Sequence, residues 1–154
     1  MLSAISHFCE TWSVIYSDSS FLRTLISFAH IAGLVVSGGY ALSEDRAILS
    51  KARRAGETAA HSAHFIVIGG LAIVFASGLL LVTANLDSYL ASRAFWIKMF
   101  FVALLLANGG ALVRAERAVP TGGERAWVRL RRAAWLSVVL WTTTILAGAA
   151  LPNV

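Results

Sequence analysis

Four apolar stretches of about 20 residues each, the length one helix needs to cross a bilayer, constrain this chain more than anything else in it. They are Phe21–Ser43, His61–Thr83, Phe95–Val113 and Ala133–Leu151. A helix rises about 1.5 Å per residue and the hydrocarbon core of a bilayer is about 30 Å thick, so each stretch can span it once. None alternates apolar and polar residues as a barrel strand does, and backbone in lipid has to satisfy its own hydrogen bonds. The expectation is an all-α fold, an integral membrane four-helix bundle over residues 21–154 whose closest partner is the lipid bilayer. Composition agrees, with 58% hydrophobic and 14% charged residues. An ordinary soluble domain carries about 25% charged residues. So few charges do not cover a water-facing surface, which argues against a soluble single-domain enzyme. A length of 154 residues leaves no room for a second sizeable domain.

The net charge of +5 is informative through its placement. Ten of the 13 basic residues fall in two connecting segments. Arg46, Lys51, Arg53 and Arg54 lie in the first, and Arg114, Arg117, Arg125, Arg129, Arg131 and Arg132 in the last. The middle connection carries only Arg93. Basic residues accumulate in cytoplasmic loops, so the first and third connections are expected inside and both termini outside. In a bacterial inner membrane that puts both termini in the periplasm. A nucleic-acid partner is not expected, because no soluble module accompanies the charge. The lone Cys9 has no partner for an internal disulfide.

Residues 1–20 form a separate element. Leu2, Ile5, Phe8, Trp12, Ile15 and Tyr16 recur at spacings of mostly three and four, which predicts an N-terminal interfacial amphipathic helix with Trp12 and Tyr16 at headgroup level. With no basic leader before an apolar core, this segment does not read as a signal peptide. Asp18 or Ser19 is placed to cap the first span. The connections Glu44–Ala60 and Arg114–Arg132 read as charged loops, the second broken by Pro120, Gly122 and Gly123.

Ionisable side chains inside an apolar span are costly and mark candidate sites. His30 lies nine residues into the first stretch, about 13 Å from its end and so near the bilayer centre. Its imidazole is suited to ligating haem iron, to bonding a quinone oxygen, or to bonding a hydroxyl across the bundle. Lys98 lies three residues into the third stretch, either snorkelling to headgroup level or turning inward toward a ligand carboxylate. His61 and His64 open the second stretch on one helical face. A haem held by two histidines needs them at similar depth, whereas His30 and His64 are offset by about 15 Å along their helices. No Asp or Glu falls inside the four stretches so bounded, and no set of ligands has the spacing of a metal site. Asn108 is expected to make an interhelical hydrogen bond, and Trp96, Trp135 and Trp141 to anchor or pack. Gly33, Ser37, Gly38, Gly69, Gly70, Ser77, Gly78, Gly109 and Gly110 allow close helix approach or leave room for a flat cofactor.

Ser27-Phe-Ala-His30-Ile-Ala-Gly33 with Ser37-Gly38-Gly39 and Glu44-Asp45-Arg46 resembles a bacterial four-span integral membrane family of unknown function. Tyr89-Leu-Ala-Ser-Arg-Ala-Phe95-Trp-Ile-Lys98-Met, Leu106-Ala-Asn108, Leu140-Trp141 and Ala147-Gly148 extend the resemblance over most of the chain. More distantly, a histidine in the first span and a lysine in the third are similar to the four-span oxygen-independent protoporphyrinogen oxidase family. That resemblance implies binding of haem or a porphyrin at His30 and Lys98, and oxidation of protoporphyrinogen. The aromatic stretch that follows the histidine there is Val36-Ser37-Gly38-Gly39 here, a departure that bears on the oxidation more than on the pocket.

Two readings result. The first is a redox-linked membrane protein binding haem b, a porphyrin or a quinone through His30, with Lys98 near a propionate and His64 as a lesser candidate. The second is a non-catalytic accessory subunit, a homo-oligomer or a member of a larger membrane complex, packing through its glycine faces. A transporter is a weaker third, for want of intramembrane acids and broken helices.

Overall fold

The computed structural model describes residues 2–50 and 60–150, with the side chains of residues 7, 9–50 and 65–149. Lys51, Arg53 and Arg54 of the first basic segment lie outside the described residues, as do the side chains of His61 and His64 and the end of the fourth stretch at Leu151. Every element described is a helix: α1 (Leu2–Asp18), α2 (Ser20–Leu49), α3 (Ala60–Ala84), α4 (Leu86–Ala91) and α5 (Arg93–Ala150). Three of them, α2, α3 and α5, are long and apolar enough to cross a membrane.

The start of α2 follows from local chemistry. Ser19 takes extended backbone, and its hydroxyl accepts from the Leu22 amide at 3.2 Å, satisfying one of the N–H groups a helix leaves open. The end is later than the apolar stretch implies. Residues 44–49 were expected as loop, yet α2 continues through Glu44, Asp45 and Arg46 to Leu49. Charge does not stop a helix; Gly and Pro do, and neither occurs between Gly39 and Leu49. Ile48, fully buried, ties this last turn to the core.

The connection at 114–132 also differs from expectation. Helix α5 runs through most of it, and its backbone leaves helical geometry only at Gly123 (φ 56°, ψ −148°). That conformation is strained for any residue with a Cβ, so the glycine is what permits the bend. The third and fourth apolar stretches are thereby two helices, the arms 93–122 and 124–150 of α5, joined at Gly123. The arms fold back antiparallel. Asn108 Nδ2 donates to Ala133 O at 3.0 Å, Leu105 packs with Leu140 and Trp141, and the Lys98 ammonium lies against Gly148.

Helix α2 is central, packed on α3 on one side and on α5 on the other, whereas α3 and α5 touch each other little. The two interfaces are built differently. Against α3 the contact is backbone to backbone: a Cβ on Gly70 would lie 2.8 Å from Ser37 Cβ, and one on Gly33 would lie 3.0 Å from Gly70 O. Against α5 the contact is made by large side chains, with the Trp141 ring lying over Gly38. A second cluster of Ile48, Leu130 and Ala134 closes the end of the molecule near the bend. Helix α1 forms where its spacing predicts. It is docked on the far end of α3, with Trp12 Nε1 donating to Leu80 O at 2.9 Å and Ser13 Oγ to Ala84 O at 2.8 Å.

Candidate functional site

His30 faces α3. Its Nδ1 lies 3.0 Å from Ser77 Oγ, and Ser77 Oγ lies 2.6 Å from Ile73 O. A hydroxyl has one proton, and here the short bond to the Ile73 carbonyl takes it. The bond between the side chains therefore runs from the His30 Nδ1–H to Ser77 Oγ, which leaves Nε2 as the nitrogen with a lone pair. Gly78 makes room for the ring, since a Cβ there would stand 3.3 Å from His30 Cε1. An imidazole whose N–H is held by a neighbour is oriented as metal-ligating histidines are.

Lys98 comes from the first arm of α5. Rather than running outward, its ammonium turns toward the second arm, where a Cβ on Gly148 would lie 3.5 Å from Nζ. It is also close enough to act electrostatically on His30. His30 on α2, Ser77 on α3 and Lys98 on α5 thus converge from three elements. His64 does not join them. It lies at the start of α3, 13 residues before Ser77, which is about 20 Å along the helix axis. The two histidines are separated at least as far as their positions in sequence imply. Asn108 makes the interhelical bond expected of it, Trp141 is buried packing, and Trp96 and Trp135 are exposed.

Sequence reasoning missed Asp45. It is 2% exposed, and its Oδ2 is one of two buried side-chain oxygens among the described residues without a hydrogen-bond partner, the other being Thr144 Oγ1. Ending the first stretch at Ser43 put Asp45 in a loop. A signal was present nonetheless: Gly33, Ser37, Ala41, Asp45 and Ile48 follow one another at four, four, four and three residues, a single helical stripe. Asp45 borders a cleft of about 260 Å³, where α3 and the first arm of α5 diverge over α2. Its walls include Leu71, Leu105, Leu106 and Trp141, with Ser137 beside Asp45 and the carboxylates Glu44 and Glu116 also on the lining. Among the described residues no three His, Cys, Asp or Glu side chains come together as a metal site.

These two places, the histidine held across α2 and α3 and the carboxylate beneath the cleft, are the parts of the molecule that carry chemistry. Comparison of the chain with family models, with characterised proteins and with solved structures finds no match.

Proposed function

We propose that the chain is a four-span protein of a bacterial inner membrane, each arm of α5 crossing once and both termini periplasmic, and that it binds a flat redox ligand through His30. The ligand class is haem b, a porphyrin or a quinone. The observation that carries the reading is the pairing of His30 and Ser77, which orients the imidazole and puts the lone pair on Nε2. Lys98 is the cation set to meet an anionic edge such as a propionate. His30 and Lys98 would hold such a ligand by one imidazole and one charge contact; His64, about 20 Å away along α3, would not join them. Haem supplies one-electron chemistry when bound, and the chain's part is to hold the ligand, fix its orientation and keep water from it. The four-span setting draws support from the exposed apolar side chains, among them Phe28, Phe65 and Phe75, and from the bend at Gly123 that returns the chain.

Expression of wild type, His30→Ala and His64→Ala with added haem precursor, followed by the absorption spectrum and the haem-to-protein ratio, tests the ligand. A Soret band lost in His30→Ala and retained in His64→Ala is the expected result. A colourless wild type, or equal ratios in wild type and His30→Ala, overturns it. A reporter fused after Val154 is expected to read periplasmic, and one near Gly122 cytoplasmic; the reverse sinks the orientation.

The accessory reading is favoured by a different observation. Gly39, Gly69, Gly109 and Gly110 are exposed, and a Cβ on any of them would meet nothing within 4 Å. Unlike Gly33 and Gly70, they are not used inside the protomer, and they leave smooth faces on which a second helix can seat.

A further inference from the structure

The basic end of α5 presents charges that the protein leaves without partners. In the second arm, Arg125, Arg129, Arg132, Leu136 and Val139 follow one another at four, three, four and three residues, which places them on one stripe of the helix. All five are exposed, as is Trp135 beside them. The buried residues of the same arm, Ala126, Leu130 and Ala134, lie on another face. No acid interrupts the stripe. Among the described residues, none of the three guanidiniums makes a hydrogen bond or an ion pair. Arg23, at the other end of the molecule, shows the alternative: its guanidinium donates to Ser17 O at 2.8 Å and to Ser20 Oγ at 3.1 Å. The tryptophans repeat the contrast. Trp12 and Trp96 give their ring N–H to the carbonyls of Leu80 and Leu90, while that of Trp135 meets no acceptor among the described residues.

Depth selects the occupant. Arg132 directly precedes the apolar stretch that starts at Ala133, and Arg129 and Arg125 lie about 4.5 Å and 10 Å farther out along the axis. The polar layer on each side of a bilayer is about 5–8 Å deep. Arg132 and Arg129 therefore stand among phosphates when this arm spans the membrane, and the long side chain of Arg125 can bend back to them. One and two turns inward, Leu136 and Val139 stand against acyl chains. A soluble polyanion would cover the arginines and leave the apolar half of the stripe bare, whereas a lipid covers both. We propose that the stripe binds a phospholipid carrying two linked phosphates, which meet Arg129 and Arg132 with Arg125 closing from outside, its acyl chains lying along Leu136, Val139 and the Trp135 ring. A guanidinium pairs with phosphate through two parallel N–H bonds, and linking the phosphates makes the second contact intramolecular. The proposal rests on the four-span reading, in which the second arm crosses the bilayer, and not on any ligand at His30.

The test is native mass spectrometry of the full chain in mild detergent, titrated with tetraoleoyl diphosphatidylglycerol, dioleoyl phosphatidylglycerol and dioleoyl phosphatidylcholine. One adduct of the two-phosphate lipid per protomer is expected on wild type, about tenfold tighter than the single-phosphate lipid and tighter still than the zwitterionic one. Arg129→Gln with Arg132→Gln is expected to weaken it about 10–30-fold. Arg114→Gln with Arg117→Gln removes the same charge from exposed positions on the first arm, and is expected to leave the adduct within about twofold of wild type. Sodium tripolyphosphate is expected not to displace the lipid, since it makes no contact with the apolar half of the stripe. Equal weakening by the two pairs of substitutions means general attraction to a basic surface, and displacement by tripolyphosphate means a site for soluble polyanions. Either result overturns the proposal, as does equal affinity for the one- and two-phosphate lipids. Reporters near Gly122 and after Val154 separate this failure from that of the four-span reading. On opposite sides of the membrane they leave a negative lipid result as the failure of the site alone, and on the same side they overturn both.

Discussion

His30 and Asp45 are buried to different degrees on the same helix, and the helix treats them in opposite ways. His30 lies where α2 and α3 are in backbone contact, so a hydroxyl from the neighbouring helix is within 3.0 Å and the ring is held. Asp45 lies where α3 has moved away from α5, and one of its oxygens meets no donor at all. Distance between helices decides the difference. Where glycine and serine let backbones touch, a polar side chain finds a partner from the next helix; where large side chains keep the helices apart, it faces a cleft. The first arrangement fixes a group in one orientation, and the second leaves one of its oxygens without a donor.

That contrast is most forcefully broken by closing off the tight interface. Gly70→Leu places side-chain atoms where Ser37 already stands, and is expected to destabilise the chain by about 3 kcal/mol in denaturant unfolding followed by circular dichroism. The His30–Ser77 bond is expected to be lost with it. If Gly70→Leu unfolds at the wild-type midpoint, the close approach of α2 and α3 is wrong.

Asp45→Leu is expected to move stability the other way, by about 1–3 kcal/mol upward, because it removes an unsatisfied buried oxygen beside a cleft with room for the bulkier terminal methyls. A loss of stability on this change means that the bond from Ser137 to the carboxyl outweighs the unpartnered Oδ2, and the comparison with His30 collapses. Ser77→Ala sharpens the comparison from the satisfied side. It is expected to cost about 0.6–1.7 kcal/mol, the range for hydrogen bonds between helices in a membrane. It is also expected to weaken haem retention by about 10–100-fold if the His30 Nε2 is an axial ligand, since the group that orients a ligand counts almost as much as the ligand. Smallest of all is Gly110→Leu, expected within about 0.5 kcal/mol of wild type because nothing in the protomer faces it. Native mass measurement in mild detergent should nonetheless show fewer oligomers. If only monomer is seen before and after, the glycine face has no helix on it.

Much of the helix content could be read from residue order, because apolar runs of about 20 residues carry their own helical signal even with glycines inside them. The apolar stretches correspond to α2, α3 and the two arms of α5, and the spacing of Leu2 through Tyr16 corresponds to α1. Boundaries were less legible. Hydropathy ended the first span at Ser43, but a helix ends where its hydrogen bonding ends, and Ile48 packing against Leu130 and Ala134 carries α2 one and a half turns further. Likewise Pro120, Gly122 and Gly123 all read as breakers, whereas only Gly123 departs from helical geometry. Of the site, His30 and Lys98 stood out because a charge or imidazole among apolar residues is conspicuous. Asp45 did not, because it stood among other charges.

By itself, then, the sequence determined that the chain is all helix, where its apolar faces run, and which end of each segment gathers basic residues. These are properties of single segments, set by backbone hydrogen bonding and by the transfer free energy of each side chain. Only the tertiary structure decided which polar groups would be satisfied. Ser77 is 47 residues from His30 and Ser137 is 92 residues from Asp45, and no local rule predicts what faces what across such separations. The spacing of the helices answers it: Gly33 and Gly70 draw α2 onto α3, Trp141 and Leu105 hold α5 off, and the cleft under Asp45 is the room left between the two.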